Sequence, residues 1–244
     1  MITATVLTKN AEKTIKKTLD SLKSFAEVIV LDSGSTDDTL TIAKTYPNVQ
    51  VHTSPFLGFG PMHNYGAKLA HYDWILSIDA DEELTDELTS EIQSTQLDPE
   101  KIYRIQRHNY FNGKHIKWCG GWHPDFVTRL YHRKKTSFSE DLVHEKVEVN
   151  DLQIETFKNP LKHTPYLEMS DFLNKMQHYS TLFAEQNHGQ EGSIFEALLH
   201  SWFAFIKSFI FKRGFLGGKE GFIISMYNGH TTFYKYLKLA EKLD

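Results

Sequence analysis

Two carboxylates sit two residues apart in Ile78-Asp79-Ala80-Asp81-Glu82, directly after the apolar run Trp74-Ile75-Leu76-Ser77-Ile78. Acids so spaced at a strand end can reach one divalent cation. A hard ion such as Mg²⁺ or Mn²⁺ on a diphosphate takes one or two protein carboxylates together with phosphate oxygens. The same residues also suit a polar turn in which Glu82 and Glu83 form the acidic first turn of a following helix. Two other segments place polar groups after apolar runs. Thr8-Lys9-Asn10-Ala11-Glu12 follows Ile2 to Leu7, and Asp32-Ser33-Gly34-Ser35 follows Val28 to Leu31. An acid at a strand end can accept from a base N–H or a ribose hydroxyl, and a Ser/Gly turn offers backbone N–H groups. Asp32 equally suits a cap on its own turn.

These residues need elements that hold them together, and the first half of the chain supplies an alternating pattern. Ile2 to Leu7, Val28 to Leu31, Val49 to His52 and Trp74 to Ile78 read as strands. Between them, Ala11 to Leu22 carries Ile15, Leu19 and Leu22 at helical spacing. Ser35-Thr36-Asp37-Asp38 reads as an N-cap and acidic first turn for a helix to about Lys44, and Met62 to Ala70 as a third helix. Such alternation predicts an α/β fold with a Rossmann-like, mainly parallel sheet, whose ligands bind at the carboxyl ends of the strands. Beyond Asp98-Pro99, Tyr103 to Tyr110, Lys114 to Trp118, Phe126 to Tyr131 and Lys146 to Val149 predict a mixed β region. From Glu168 the pattern is helical: Ser170 to Gln186, Ser193 to Lys212 and Lys219 to Leu243.

Composition narrows the class. The 244 residues, 40% hydrophobic and 24% charged, describe one enlarged globular domain. A formal net charge of -4 lacks the basic excess of a nucleic-acid binder. The single cysteine, Cys119, excludes an internal disulfide and reads as a small buried thiol in a reducing compartment. The N-terminal residues have no secretory pattern, so a cytoplasmic location is expected. Aromatics reach 13% of the chain.

The segments quoted above resemble the inverting glycosyltransferases of family 2, which have the GT-A fold. Thr8-Lys9-Asn10-Ala11-Glu12 is similar to the family's opening Asn-Glu-Glu segment, with Ala11 in place of the first acid. Asp32-Ser33-Gly34-Ser35-Thr36-Asp37-Asp38-Thr39 is similar to its second-strand signature, and Asp79-Ala80-Asp81-Glu82 to its Asp-x-Asp motif. Gly120-Gly121-Trp122-His123-Pro124-Asp125, Thr128-Arg129-Leu130, Val143-His144-Glu145 and Arg213 to Phe222 resemble a narrower group, bacterial lipopolysaccharide core β-1,4-glucosyltransferases that act on heptose. The resemblance implies a catalytic domain over 1–165, with a nucleotide-sugar-binding half over 1–98 and an acceptor region over 99–165, and a helical extension over 166–244. It implies a UDP-sugar donor held by Thr8, Asn10, Glu12, Asp32, Ser35 and Asp79. It further implies Mg²⁺ or Mn²⁺ on Asp79 and Asp81, and transfer of a hexose, glucose first, to a glycan or glycolipid hydroxyl. His63-Asn64 stands where an Arg-Asn pair is common, which makes a donor contact there weaker or pH-sensitive.

An inverting transfer needs a base opposite the leaving group. Asp125, ahead of Arg129-Leu130, is the first choice and Glu145 the second; either acid suits a structural ion pair as well, with Arg129 or Lys146. His144 and His163 are further candidates for metal or phosphate contact. Trp118 and Trp122 suit either a sugar face or the core. Phe195, Trp202, Phe203, Phe205, Phe209, Phe211 and Phe215, interleaved with Lys207, Lys212 and Arg213, suit an interfacial helix on the inner membrane face or a helix packed on the protein. Glu196, His200 and Lys207 interrupt the run and point away from a spanning helix. Two rival readings are a nucleotidyltransferase acting on a sugar phosphate and a non-catalytic nucleotide-sugar-binding module. The first wants a glycine-rich phosphate loop that Thr8 to Glu12 does not offer, and the second has no need of Asp81 or a base.

Overall fold

The computed structural model describes residues 1–141, 145–187 and 192–241, so the His144 candidate lies outside the described residues. The chain forms two compact units, 1–107 with 126–163, and 108–125 with 164–244.

In the first unit the strands β1 (Ile2–Thr8), β2 (Glu27–Asp32), β3 (Val49–Thr53) and β4 (Trp74–Asp79) are all parallel, in the order β3-β2-β1-β4. The β-branched run of β2 is buried throughout, as a strand flanked on both edges and covered on both faces should be. The helix α1 (Ile15–Ser21) buries Ile15 and Leu19. With α4 (Asp86–Ser94), which buries Leu88 and Ile92, it shares a core with Val6, Val30, Leu76 and Ile78. A second apolar cluster joins Ala67 and Ala70, from the end of α3 (Phe59–Leu69), to Ile75, Tyr131 and Phe138.

The mixed region continues the same sheet. β8 (Phe126–His132) pairs antiparallel with β4 and with β6 (Lys101–Phe111), and β10 (Leu161–His163) lies between β6 and β5 (Glu82–Leu84). β9 (Gln153–Thr156) runs parallel beside β6. Several expected boundaries differ. The second helix, α2, spans only Thr39–Ala43: Ser35 Oγ accepts from Asn10 N in the loop after β1, and Asp37 Oδ1 accepts from Thr39 N where the helix begins. Lys146 to Val149 forms no strand; Val147 alone bridges to Phe138. Glu82 and Glu83 belong to β5, and the next helix starts later, with Thr85 Oγ1 accepting from Leu88 N at 3.1 Å.

The second unit is built from the end of β6, β7 (Lys114–His115), α5 (Met169–Gln186), α6 (Ile194–Ile206) and α7 (Gly218–Glu241). The segment 108–125, grouped above with the catalytic β region, packs here because Phe111, Ile116, Cys119 and Trp122 share a core with Phe172 and Ile224. Trp122 stacks on Tyr166 at 5.7 Å, so its ring serves packing. Cys119 is a buried free thiol, as expected. At α5 the cap is Glu168 rather than Ser170, its N–H donating to Asp171 Oδ2 at 2.9 Å. Ser193 caps α6, which runs on through a π-helical turn over Lys207–Phe211. Gly221 has no room for a side chain: an added Cβ would lie 1.9 Å from Gly214 O.

Candidate functional site

The parallel register sets the floor of the site. Thr8 pairs with Asp32, and Leu7 with Asp79, so the carboxyl ends of β1, β2 and β4 carry Thr8, Asp32 and Asp79 side by side. The loops that follow β1 and β2 are sewn together. Asn10, at φ 49°, donates its N–H to Ser35 Oγ at 2.8 Å, and its Oδ1 accepts from Thr36 N at 2.8 Å. Glu12 N donates to Asp37 Oδ2 at 3.1 Å, and Glu12 Oε2 accepts from Asp38 N at 3.3 Å. Asp32 is buried and accepts from Gly34 N at 2.9 Å, Ser35 N at 3.0 Å and Ser35 Oγ at 2.5 Å. Its carboxylate therefore holds its own turn, the second of the two roles open to it. Thr8 Oγ1 is buried with no protein partner among the described residues.

At the end of β4 the acids diverge. Asp79 is bound by Arg129 Nη2 from β8, and the same nitrogen lies 2.5 Å from Glu82 Oε1. Arg107 Nη1 adds a contact to Glu82 at 3.1 Å, and Glu82 Oε2 accepts from Asp79 N at 3.0 Å. Arg129 is 5% exposed and Glu82 0%. Burial alone would raise the Asp79 pKa; the Arg129 charge outweighs it and holds the carboxyl well below the usual carboxylate range. Burial likewise works against the Arg129 charge, and Asp79 and Glu82 outweigh it. Asp81 instead faces β10, where His163 Nε2 stands 3.4 Å from Asp81 Oδ2. Neither the Glu82 anchor nor the Arg129 and Arg107 contacts to it were read from sequence. Their only signal was Arg129 within Thr128-Arg129-Leu130.

Asp81 and His163 offer one carboxylate oxygen and one imidazole nitrogen on the same side. Among the described residues no group of three or more His, Cys, Asp or Glu side chains is arranged to hold an ion alone. That donor set fits a Mg²⁺ or Mn²⁺ ion completed by diphosphate oxygens. Asp79 has one oxygen given to Arg129, so it fits a supporting role beside Asp81.

His63 replaces nothing cationic here. It is 1% exposed, and Ser77 Oγ lies 2.8 Å from its Nδ1. The ring stacks on Phe138 at 4.2 Å, and its Nε2 stands 3.9 Å from Glu145 Oε1. Burial, against the pull of Asp79, lowers its pKa to about 4, so it is neutral near pH 7, which speaks against the pH-sensitive alternative and leaves the weaker contact. Asn64 pins the neighbouring segment, donating to Phe138 O at 2.9 Å and accepting from Phe138 N at 2.9 Å. Because the unfolded chain protonates His63 near 6.5, stability should fall as pH drops from about 6.5 to about 4, by about 3 kcal/mol in total. His63→Asn should flatten that slope in unfolding titrations at several pH values. An unchanged slope would show that His63 titrates in the folded chain as it does in the unfolded one.

Of the two base candidates, Asp125 belongs to the second unit, where Asn109 Nδ2 donates to its Oδ2 at 3.1 Å. Glu145 belongs to the first, beside His63.

Residues 3–149 match the family model described as Glycosyl transferase family 2. The chain is 31% identical over 265 residues to an uncharacterized glycosyltransferase of Rickettsia prowazekii, spanning 100% of this chain and 87% of that protein. It is 24% identical over 255 residues to the lipopolysaccharide core biosynthesis glycosyltransferase LpsC of Rhizobium meliloti, spanning 99% and 92%. S. aureus TarS, solved in complex with UDP-GlcNAc, aligns with a TM-score of 0.51 at 19% identity, over 92% of this chain and 79% of that one. The mannosyltransferase PcManGT of Pyrobaculum calidifontis, solved with GDP-Man and Mn²⁺, aligns with a TM-score of 0.53 at 16% identity, over 96% and 86%. The likeness to these structures is one of fold, the GT-A fold.

Proposed function

The chain belongs to glycosyltransferase family 2, and on that premise we propose that it transfers a hexose, glucose first, from a UDP-sugar to a hydroxyl of a lipopolysaccharide core or related glycan. The observation that carries this reading is the clustering of Thr8, Asp32 and Asp79 at adjacent parallel strand ends, with Asp81 opposite His163 beside them. The relative from Rhizobium meliloti, named for lipopolysaccharide core biosynthesis, supports the acceptor class.

In this reading the loops of Asn10, Glu12 and Ser35 receive the nucleoside end, with Thr8 Oγ1 and the Asp32 turn beneath it. Asp81, with His163 and with Asp79 in support, holds Mg²⁺ or Mn²⁺. When bound, the ion stabilises the departing UDP as a Lewis acid. Arg129 keeps Asp79 ionised and fixed. The base that takes the acceptor proton is Asp125, with Glu145 as the alternative; a carboxylate within hydrogen-bond reach of the attacking hydroxyl meets the chemical need.

The test is UDP release from a panel of UDP-sugars with Mn²⁺ or Mg²⁺ and a heptose-containing acceptor. UDP-glucose should turn over fastest, and no acceptor-dependent UDP release from any donor would refute the reading. Asp125→Asn or Glu145→Gln, whichever removes the base, should lower kcat by at least about 10²-fold while the other has a mild effect. Equal, mild losses would reject both residues.

The acceptor class also bears on the second unit. Ile194–Phe211 is by length and composition sufficient to cross a membrane, with a mean hydropathy of 1.4 and 11% of it buried, more apolar than the interrupting Glu196, His200 and Lys207 suggest. Phe195, Leu198, Leu199, Trp202, Phe203 and Phe211 are exposed on α6 and its extension. The opposite side of α6 packs on α7, where an added Cβ on Gly229 would lie 3.3 Å from Ser201 O. One packed face and one bare apolar face, bordered by Lys207, Lys212 and Arg213, fit a helix lying in the headgroup plane of an anionic bilayer on its cytoplasmic side. The protein should sediment with anionic vesicles at low salt, and Trp202→Glu with Phe203→Glu should release it. Recovery of all the wild-type protein in the supernatant would leave this face without a lipid role.

A further inference from the structure

The second unit gathers three histidines at the β6–β7 hairpin. His108 and His115 stack with ring centroids 4.0 Å apart and planes 24° from parallel. His123 lies 5.7 Å from His115 and 6.3 Å from His108. The hairpin register sets Tyr110 opposite His115, and their rings stack at 5.4 Å. His108 and Tyr110 share one face of β6, while Asn109 and Phe111 alternate to the other and are buried.

Two ring nitrogens in this cluster, His115 Nε2 and His123 Nδ1, are buried and have no hydrogen-bond partner among the described residues. Buried polar nitrogens are nearly always paired, so two orphans within one cluster mark a place that wants a ligand. The chemistry of the surroundings selects its sign. Besides burial, the charged groups that act on His108 are His123 and Lys117, and those on His115 are His108, Lys117 and His123. Burial first, and then these neighbours, hold the His108 and His115 rings below the usual imidazole range, His115 at about 4, so near pH 7 both are neutral imidazoles and Lys117 is the cation beside them. A metal is the poorer fit, because the lone pairs of two nearly parallel stacked rings lie in separate planes and do not converge on one ion.

We propose that His108, His115 and His123, with Lys117, form an oxyanion subsite that binds a phosphate or carboxylate group carried by the sugar acceptor. The proposal rests on the transferase reading for the word acceptor, and on the orphan nitrogens with Lys117 for the anion. In the tautomers that place the proton on His115 Nε2 and His123 Nδ1 the orphan nitrogens are N–H donors, and Lys117 supplies the charge that attracts the anion.

The test follows the histidine ring resonances of the full chain while inorganic phosphate is added at constant pH and ionic strength, with chloride as the matched control. Signals from His108, His115 and His123 should shift saturably with phosphate and not with chloride. His115→Gln and His123→Gln should each weaken binding about tenfold, the scale of one charge-assisted hydrogen bond. Lys117→Gln, at an exposed position, should weaken it without disturbing the fold. Glucose 6-phosphate and glucuronate, compared as further probes, distinguish a phosphorylated from a carboxylated acceptor by which binds more tightly. Linear shifts equal to those with chloride, or variants that bind phosphate as well as the parent, would overturn the proposal. So would rings that respond to Zn²⁺ alone. No donor or turnover enters the titration, so its outcome is independent of the UDP-release assay.

Discussion

Asp81→Asn should lower metal-dependent turnover by about 10²–10³-fold, the scale on which one charge-stabilising contact to a transition state is lost. The argument is local. Asp79 is already bound by Arg129, whereas Asp81 faces His163 across a gap of 3.4 Å and is the acid best placed for a cation on the diphosphate. Steady-state UDP release across a Mn²⁺ series checks it, with far-UV circular dichroism to establish that the variant is folded. The loss should lie in kcat and in the Mn²⁺ concentration needed for half-activity. Full turnover at ordinary Mn²⁺ would remove Asp81 from the metal role. His163→Ala should show a smaller loss in the same direction, since it removes the imidazole nitrogen that faces Asp81.

Arg129→Met should destabilise the protein by about 3–5 kcal/mol, the range for removing one partner of a buried ion pair. Glu82 is fully buried and would keep only the 3.1 Å Arg107 contact and the Asp79 N–H, and Asp79 would lose its ion pair. Against a total of about 5–15 kcal/mol for ordinary domains, that is a large fraction. Urea unfolding should report a lower midpoint with an unchanged slope. Adding Glu82→Gln to Arg129→Met should recover part of the loss, because the uncompensated buried charge is then gone. A midpoint equal to the parent's would mean that Asp79 and Glu82 do not depend on Arg129.

The legible part of this molecule was the part written in short-range pattern. The apolar runs at Val28 to Leu31 and Trp74 to Ile78 became β2 and β4, and their polar followers Asp32 and Asp79 came to lie at strand ends on either side of β1. The Arg129 bridge was not legible, since its partners lie 50 and 47 residues away. In sequence Glu82 suits the start of a helix, because an acid before a helix and an acid beneath a sheet look alike until burial is known. β9 leaves little pattern in the sequence because Gln153–Thr156 is exposed, and its bonds to β6, Lys101 to Glu155 and Arg104 to Thr156 among them, join distant residues. Ser35 and Asp37 suit a helix cap in sequence; in the structure Ser35 reaches across to the β1 loop instead, and Asp37 serves both, with Oδ1 on Thr39 N at the helix start and Oδ2 on Glu12 N.

That crossing has a consequence for motion. The backbone amides of Asn10 and Glu12 are tied to side chains 25 residues later, and Thr36 N and Asp38 N are tied back to side chains 26 residues earlier. Neither loop can open without breaking the bonds of the other, so the two should exchange their amide hydrogens as one cooperative unit rather than as two fraying segments. A ligand seated on them meets a surface whose ordering entropy was already lost at folding, and its binding keeps the free energy that a mobile loop would have taken.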